Sequence, residues 1–267
     1  MDIRRIKIIF MKDWKELRQS KQAMLPMLIL PVIFVVVLPV ILVFAATQAA
    51  ADPRTAEMLK NMSKIGLPPD LNEQQAVIYM MLIFILAPFF LLIPVMNASI
   101  IAASSFAGEK ERKTIEGLLY TPVTDKELVL GKVAVCVVPA VLIAWLSFVV
   151  YGVLVNAFAY PFFGRLIFPT ANWVTLIFWL TPGLSFLSLA MVVAVSQRAA
   201  GVWEAQQISA LLLLPIIGVM ISQVKGVLYL TVPVNLIAGA VIYVIDVFVY
   251  RWLVRTLNRE RIVTKLV

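Results

Sequence analysis

The sequence lacks histidine altogether and has a single cysteine, Cys136, inside an apolar run. One cysteine cannot form a disulfide within the chain, and the histidine and cysteine clusters that usually bind zinc are missing. Charged residues make up only 14% of the 267 residues, whereas soluble domains contain about 25%. Apolar residues make up 62%, and the mean hydropathy is +0.95. This composition excludes a soluble enzyme, a nucleic-acid-binding domain and a disordered chain, and it predicts a membrane protein.

Nucleotide-binding and hydrolytic motifs are absent as well. A phosphate-binding loop needs the pattern G-x-x-x-x-G-K-[ST], whose backbone amides and lysine cradle phosphates. The pair Gly131-Lys132 is followed by Val133 and has no glycine five residues before it. A membrane-embedded hydrolase would need a nucleophile with a histidine or an acid pair. We therefore predict that the chain is not catalytic by itself and holds no cofactor.

Six apolar stretches are long enough, at about 20 residues each, to cross a bilayer as helices. The predicted spans are residues 23–46, 77–103, 133–160, 173–195, 203–222 and 227–250. They leave little room for anything else, so we predict one all-α membrane domain over residues 23–267. More than 20 charged, amphipathic residues precede the first span, which is unlike a cleavable signal peptide.

The distribution of Lys and Arg predicts the orientation of these spans. The segments on one side of the membrane contain 18 basic residues and those on the other side contain five. Cytoplasmic loops carry the excess of Lys and Arg. The net charge of +8 therefore predicts a multi-pass protein of the cell membrane with both termini in the cytoplasm, not a nucleic-acid partner.

Residues 1–22 have the pattern of an amphipathic helix. Apolar residues recur every three or four positions, at Ile3, Ile6, Phe10, Trp14 and Leu17. The opposite face is cationic, so the helix is predicted to lie in the membrane interface as an elbow helix. Two interpretations remain open: an anchor with no further role, or a helix that also contacts a cytoplasmic partner through its position below the membrane.

The segment 104–132 is too long and too patterned for a simple connector. Charged residues 109–113 continue the second span, an apolar stripe follows at Ile115, Leu118 and Leu119, and Pro122 ends that helix. Thr124 with Glu127 has the spacing of a capping box that starts a helix leading into the third span. We predict a cytoplasmic helical hairpin. The alternative is a folded connector that satisfies its charges by local ion pairs.

Residues 108–124, GEKERKTIEGLLYTPVT, and the later Leu130-Gly131-Lys132 resemble the cytoplasmic loop of ABC-2 type exporter permeases. The stretch 12–18 is similar to the elbow helix of that family, and residues 204–207 are similar to its sodium- and drug-export branches. The chain departs from the family pattern at Gly117, where a larger residue is expected. The layout matches over the whole chain, and the motifs cover about 40 residues.

The resemblance implies a permease subunit of an ABC exporter. Such a subunit forms the pathway with a second permease, identical or different, above two copies of a cytoplasmic ATPase that binds ATP and Mg²⁺. The elbow positions are Phe10, Trp14 and Leu17. The positions expected to couple to the ATPase are Glu109, Lys110, Glu111, Arg112, Thr114, Glu116, Leu118, Leu119, Tyr120, Thr121, Pro122 and Lys126. Of these, Glu109, Glu111 and Arg112 are predicted to pair with charges on the ATPase, and Leu118, Leu119 and Tyr120 to fill an apolar cleft.

Polar side chains inside the spans are the candidates for the transport pathway. They are Asn97, Ser99, Ser147, Asn156, Asn235 and Asp246. The five uncharged side chains could equally form hydrogen bonds between helices. Asp246 either pairs with Arg251 or takes part in moving a cation. The substrate class, whether ion, drug, peptide or lipid, stays open.

Two other functions are compatible with parts of the sequence. A non-transporting membrane scaffold would need only the hairpin to recruit a cytoplasmic protein. A secondary transporter would need intramembrane charges or broken helices in corresponding halves, and one aspartate without an internal repeat argues against it.

Overall fold

The computed structural model describes residues 2–49, 67–68, 70–111, 124–196, 201–225 and 227–256. These residues are helical apart from short connections, and none of them forms a strand. Six helices among them are long and apolar enough to cross a membrane. The predicted all-α class with six spans is therefore confirmed.

The N-terminal helix covers Ile3–Gln19. The spans, numbered 1 to 6, cover Lys21–Ala46, Glu73–Ala107, Lys126–Phe163, Ala171–Ser196, Val202–Gln223 and Val232–Arg251. Their α-helical segments are Lys21–Val32, Leu38–Ala49, Glu73–Tyr79, Ala87–Phe90, Leu92–Ala102, Gly108–Glu111, Asp125–Phe163, Ala171–Thr175, Thr181–Ser196, Val202–Ser209, Leu213–Val224 and Val232–Thr256. Wider π-helical turns lie at Ile33–Val37, Met80–Ile85, Ala103–Ala107 and Leu176–Leu180, and a 3₁₀ turn at Ala210–Leu212.

Two helix starts differ from the predicted span limits for identifiable reasons. Span 2 begins at Glu73, four residues before the apolar run, because Asn72 and Gln75 form a capping box. Span 6 begins at Val232, although the apolar run starts at Val227. Pro233 lies in its first turn, where a missing N–H costs no hydrogen bond.

Span 3 is one helix of 39 residues, Asp125–Phe163. At 1.5 Å per residue it is about 58 Å long, roughly twice the thickness of the hydrocarbon core. It therefore extends well beyond the membrane. The last part of the predicted loop, from Asp125 to Lys132, belongs to this extension, as residues 104–111 belong to that of span 2.

Spans 2, 3 and 4 form the centre of the bundle. Two thirds of span 2's most apolar stretch is buried, against about a sixth of spans 1 and 6. Aromatic rings fill the space between the central spans: Tyr151 stacks on Trp173 with centroids 4.9 Å apart, and the edge of Phe90 meets both rings. Spans 1, 5 and 6 surround this core and leave apolar faces uncovered.

The connections alternate between the two ends of the bundle. At one end the N-terminal helix contacts the end of span 2 and the start of span 3. At the other end Arg165, after span 3, pairs with Asp70, before span 2, at 2.8 Å. Gln75 also donates to the Phe162 carbonyl there at 2.7 Å. The end that carries the N-terminal helix is the one where the sequence concentrates Lys and Arg.

Candidate functional site

The two ends of the predicted cytoplasmic loop are well defined. Span 2 continues through the short helix Gly108–Glu111, which includes Lys110, and the helix of span 3 starts after Thr124. Thr124 Oγ1 accepts from the Glu127 N–H, and Glu127 Oε2 accepts from the Thr124 N–H, so the predicted capping box is confirmed. Residues 112–123 lie outside the described residues, and with them Arg112, Thr114, Glu116, Leu118, Leu119, Tyr120, Thr121 and Pro122.

A buried ammonium group joins these two ends. Lys132 Nζ, in span 3, donates to Glu109 Oε2 of span 2 at 2.7 Å. It also donates to the carbonyl and the hydroxyl of Ser105, at 3.0 and 3.1 Å. Ser105 lies in the π-helical turn Ala103–Ala107. The lysine thus fixes the start of span 3 against the last turns of span 2.

The N-terminal helix supplies the other half of this arrangement. Asp13 Oδ2 accepts from the Ser105 hydroxyl at 2.8 Å and lies 3.5 Å from Lys132 Nζ. Lys12 Nζ donates to Glu109 Oε1 at 2.9 Å and lies 3.4 Å from Asp13 Oδ1. We refer to Lys12, Asp13, Ser105, Glu109 and Lys132 as the ion-pair cluster. It joins three elements of the chain, and its two lysines balance its two carboxylates.

The cluster is largely shielded from solvent. Asp13 is 6% exposed, and Glu109 and Lys132 are each 4% exposed. Lys12 is the most exposed member of the cluster and lies between its carboxylates and solvent. Burial lowers the pKa of Lys12, but the hydrogen bond and charge of Glu109, with Asp13 and Glu16, outweigh it, so this pKa lies above its ordinary value. Lys12 therefore stays protonated at physiological pH, and the cluster keeps its charge balance.

Asp13 and Lys132, like Lys12 and Ser105, were not among the site residues predicted from the sequence. The N-terminal helix turns Ile9, Asp13 and Leu17 toward the rest of the protein, whereas the predicted apolar face ran from Ile3 to Leu17. Of the elbow positions, Leu17 is buried, and Phe10 and Trp14 pack against the same core. An acid at helical spacing from apolar residues, and a lysine just inside an apolar span, are the signals that could have identified the pair.

Glu109 and Glu111 both make contacts within the protein. Glu109 was predicted to face a cytoplasmic protein, but its side chain is buried in the ion-pair cluster. Glu111 accepts from the Val202 N–H at 3.2 Å, at the start of span 5. A Cβ at Gly201 would lie only 3.0 Å from Glu111 Oε2, so the glycine makes room for this contact. The end of span 2 is therefore linked to span 5 as well.

A second set of contacts holds the beginning of the N-terminal helix to span 3. The Asp2 N–H donates to Glu127 Oε1 at 2.6 Å, and Arg5 lies 3.8 Å from Glu127 Oε2. Lys126, the neighbouring position, is exposed. The N-terminal helix thus contacts both sides of the gap between Glu111 and Thr124.

Four of the six predicted pathway residues are engaged in hydrogen bonds within the protein. Ser99 bonds Ser188 of span 4 at 2.6 Å, and Ser147 donates to a carbonyl of its own helix. Asn156 donates to the Phe168 carbonyl at 2.7 Å and accepts from two backbone N–H groups of the following connection. Asn235 of span 6 donates to Asn172 at 2.8 Å. These bonds hold helices and connections together.

Asn97 and Asp246 are different. Asn97 is fully buried in span 2, and neither amide atom has a hydrogen-bond partner among the described residues. Asp246 is buried against Gly183 of span 4, and its Oδ1 has no such partner there. No ion pair joins Asp246 to Arg251 among the described residues, although the sequence had suggested one. A buried polar group without a partner is costly, so Asn97, Asp246 and also Asn235, whose Oδ1 has no partner among the described residues, stay candidates for the pathway.

Span 2 is also irregular near the end that lies away from the N-terminal helix. Its π-helical turn Met80–Ile85 and Pro88 disturb the regular backbone hydrogen bonds. Three successive carbonyls, those of residues 82, 83 and 84, accept instead from Tyr151, Trp173 and Gln223, at 2.6, 2.7 and 3.1 Å. Spans 3, 4 and 5 thereby supply the donors that an irregular helix needs inside a membrane.

The described residues contain no group of three or more acidic, cysteine or histidine side chains that could hold a metal ion. Comparison with known proteins identifies one family: the profile described as ABC-2 family transporter protein matches residues 7–255. Neither the curated proteins nor the solved structures gave a match. The matched range contains Lys12, Asp13, Ser105, Glu109 and Lys132, and all six spans.

Proposed function

Since the chain belongs to the ABC-2 family of transporter proteins, we propose that it is the permease of an ATP-driven exporter, working as a dimer above two copies of a separate cytoplasmic ATPase. The family and the six apolar helices make the chain a multi-pass membrane protein and a permease component of an ABC transporter. ATP and Mg²⁺ would be bound by the ATPase.

The observation that carries the proposal is the construction of one end of the bundle. Two spans extend beyond the membrane on either side of residues 112–123, and a buried ion-pair cluster joins them to each other and to the N-terminal helix. A connector without a mechanical role would not need such bracing. A segment held this firmly at both ends can pass a push from a bound protein to spans 2 and 3.

The proposed orientation places this end in the cytoplasm of the cell. The N-terminal helix, the connection between spans 2 and 3 and the C-terminal segment share this side, and they contain most of the 23 basic residues. Positive residues are retained on the cytoplasmic side of bacterial and eukaryotic membranes alike. Both termini are then cytoplasmic, and the ATPase meets residues 112–123.

Span 5 is our candidate for the dimer contact. Its outer side exposes Leu211, Leu214 and Ile221 along one stripe. Gly218 lies on the same side, and a Cβ there would meet nothing within 4 Å. Small residues on an exposed helix face allow close helix packing in membranes.

The decisive experiment tests binding of the ATPase. The double substitution Leu118→Asp and Leu119→Asp should release the ATPase that co-purifies with the wild-type permease, because carboxylates cannot enter an apolar cleft without losing water. Leu166→Asp is the matched control, since Leu166 is 70% exposed at the opposite end of the bundle. Retention of the ATPase by the double variant, with stimulated ATP hydrolysis intact, would refute the assignment.

A further inference from the structure

The ion-pair cluster lies where force from an ATPase would enter the membrane domain. The chain leaves span 2 after Glu111 and returns at Thr124. On the near side of this gap Glu109 is bound by Lys12 and Lys132. On the far side Glu127 is bound by the backbone of Asp2 and approached by Arg5. The N-terminal helix therefore bridges the gap at two separate points.

We propose that Asp13, Ser105 and Lys132 are positioning residues that make the N-terminal helix and the cytoplasmic ends of spans 2 and 3 move as one rigid body. This inference rests on the proposed function, since it concerns how a push on residues 112–123 reaches the spans. With the cluster intact, the push displaces both spans together. Without it, the two ends of the loop separate and the push is absorbed locally.

The geometry favours rigidity over a set of exchangeable surface contacts. Lys132 is held by three donor–acceptor contacts of 2.7 to 3.1 Å, directed to two residues of span 2. Ser105 both accepts from Lys132 and donates to Asp13, so the serine fixes the relative position of all three elements. Opening this network would leave buried charges unpaired, which proteins strongly resist.

One residue away from Lys132, at Gly131, the backbones of the N-terminal helix and span 3 also pack closely. A Cβ at Gly131 would lie 2.9 Å from the Cβ of Ile9, on the N-terminal helix, and 3.3 Å from the Ile6 carbonyl. Two helices in contact at this distance cannot slide past one another without separating first. The cluster and this contact therefore describe one joint between the N-terminal helix and span 3.

The joint can be replaced by a covalent bond. In Ile9→Cys with Gly131→Cys the two Cβ atoms would lie 2.9 Å apart, so the two helices must move apart by about 0.6 Å to reach the shortest usual disulfide separation of about 3.5 Å. The chain's one cysteine is removed by Cys136→Ala. The matched control is the pair Ile9→Ser and Gly131→Ser, which has similar size and cannot form the bond.

The experiment measures ATPase binding and permease-stimulated ATP hydrolysis separately, with the full-length permease and its co-purifying ATPase in lipid vesicles. We expect Lys132→Met to leave binding within about twofold and to lower stimulated hydrolysis by about two- to thirty-fold, the range for substitutions in coupling networks. Oxidation of the cysteine pair should leave stimulation at the level of the serine pair. The same disulfide should restore stimulation to Lys132→Met, and a reducing agent should abolish the rescue.

Each other outcome overturns the inference. Loss of stimulation on oxidation alone would mean that the N-terminal helix and span 3 move relative to one another. Failure of the disulfide to form would contradict the packing of Ile9 on Gly131. Failure of the disulfide to rescue Lys132→Met would show that the lysine acts in another way. If the wild-type chain bound no ATPase at all, the proposed function would fail first, and that result is distinct from binding without coupling.

Discussion

Removal of the charge of Lys132 should destabilise the protein through the carboxylates it leaves behind. In Lys132→Met, Asp13 and Glu109 stay buried but lose the ammonium group that both of them contact. Breaking a buried ion pair from one side costs about 3–5 kcal/mol. At about 2–4 °C for each kcal/mol, we expect the melting temperature to fall by roughly 6–20 °C. Lys126→Met, on an exposed turn of the same helix, should change the free energy of unfolding by less than about 0.5 kcal/mol.

A second substitution, Asp13→Asn, distinguishes the effect of charge imbalance from the effect of lost packing. Adding Asp13→Asn to Lys132→Met restores the balance, with Lys12 facing Glu109 at 2.9 Å. The double variant should therefore be more stable than the sum of the single effects implies, by about 0.5–3 kcal/mol of coupling. Thermal unfolding of the purified protein in detergent, followed by circular dichroism, provides the measurement. Additive losses, within about 0.5 kcal/mol, would refute the interpretation that these charges act as one unit.

Two further predictions concern the interior of the bundle. Tyr151→Phe removes the donor to the Leu82 carbonyl, so the free energy of unfolding should fall by about 1–3 kcal/mol. Tyr160→Phe, on the exposed side of the same helix, is the control and should leave the free energy of unfolding unchanged. Equal stability of the two variants would contradict the role of this hydrogen bond. Asp246→Asn should lower export activity and leave ATPase binding intact if this buried carboxyl, which forms no ion pair with Arg251 among the described residues, takes part in moving a cation. Unchanged export would exclude that role.

Several features follow from local sequence and were predictable for that reason. The six spans depend on apolar length alone. The start of the span 3 helix depends on Thr124 and Glu127, three residues apart, and the structure has both hydrogen bonds of the capping box. Chain neighbours determine such features, so no knowledge of the distant chain is needed. At span 6 the helix starts later than predicted because the first residues of the apolar run are not helical, which hydropathy cannot distinguish.

The candidate site depended on residues far apart in the sequence. In the sequence, Glu109 and Glu111 belong to the same charged stretch that continues span 2. In the structure, Glu109 is buried in the ion-pair cluster, whereas Glu111 accepts from the Val202 N–H at the start of span 5. Their different roles arise from which neighbouring element each meets. Likewise, Asn156 and Asn97 are both amides inside spans, but only Asn156 has a connection close enough to bond.

By itself, the sequence determined that this chain crosses a membrane six times, and its distribution of basic residues predicts which side faces the cytoplasm. Both are properties of composition along the chain, since burial in lipid requires about 20 apolar residues wherever they occur. Only the tertiary structure decided that Asp13 and Lys132, 119 residues apart, belong together. Two opposite charges can be buried only as a pair, because each alone would lose its hydration without compensation. The packing of the N-terminal helix on spans 2 and 3 brings them within reach.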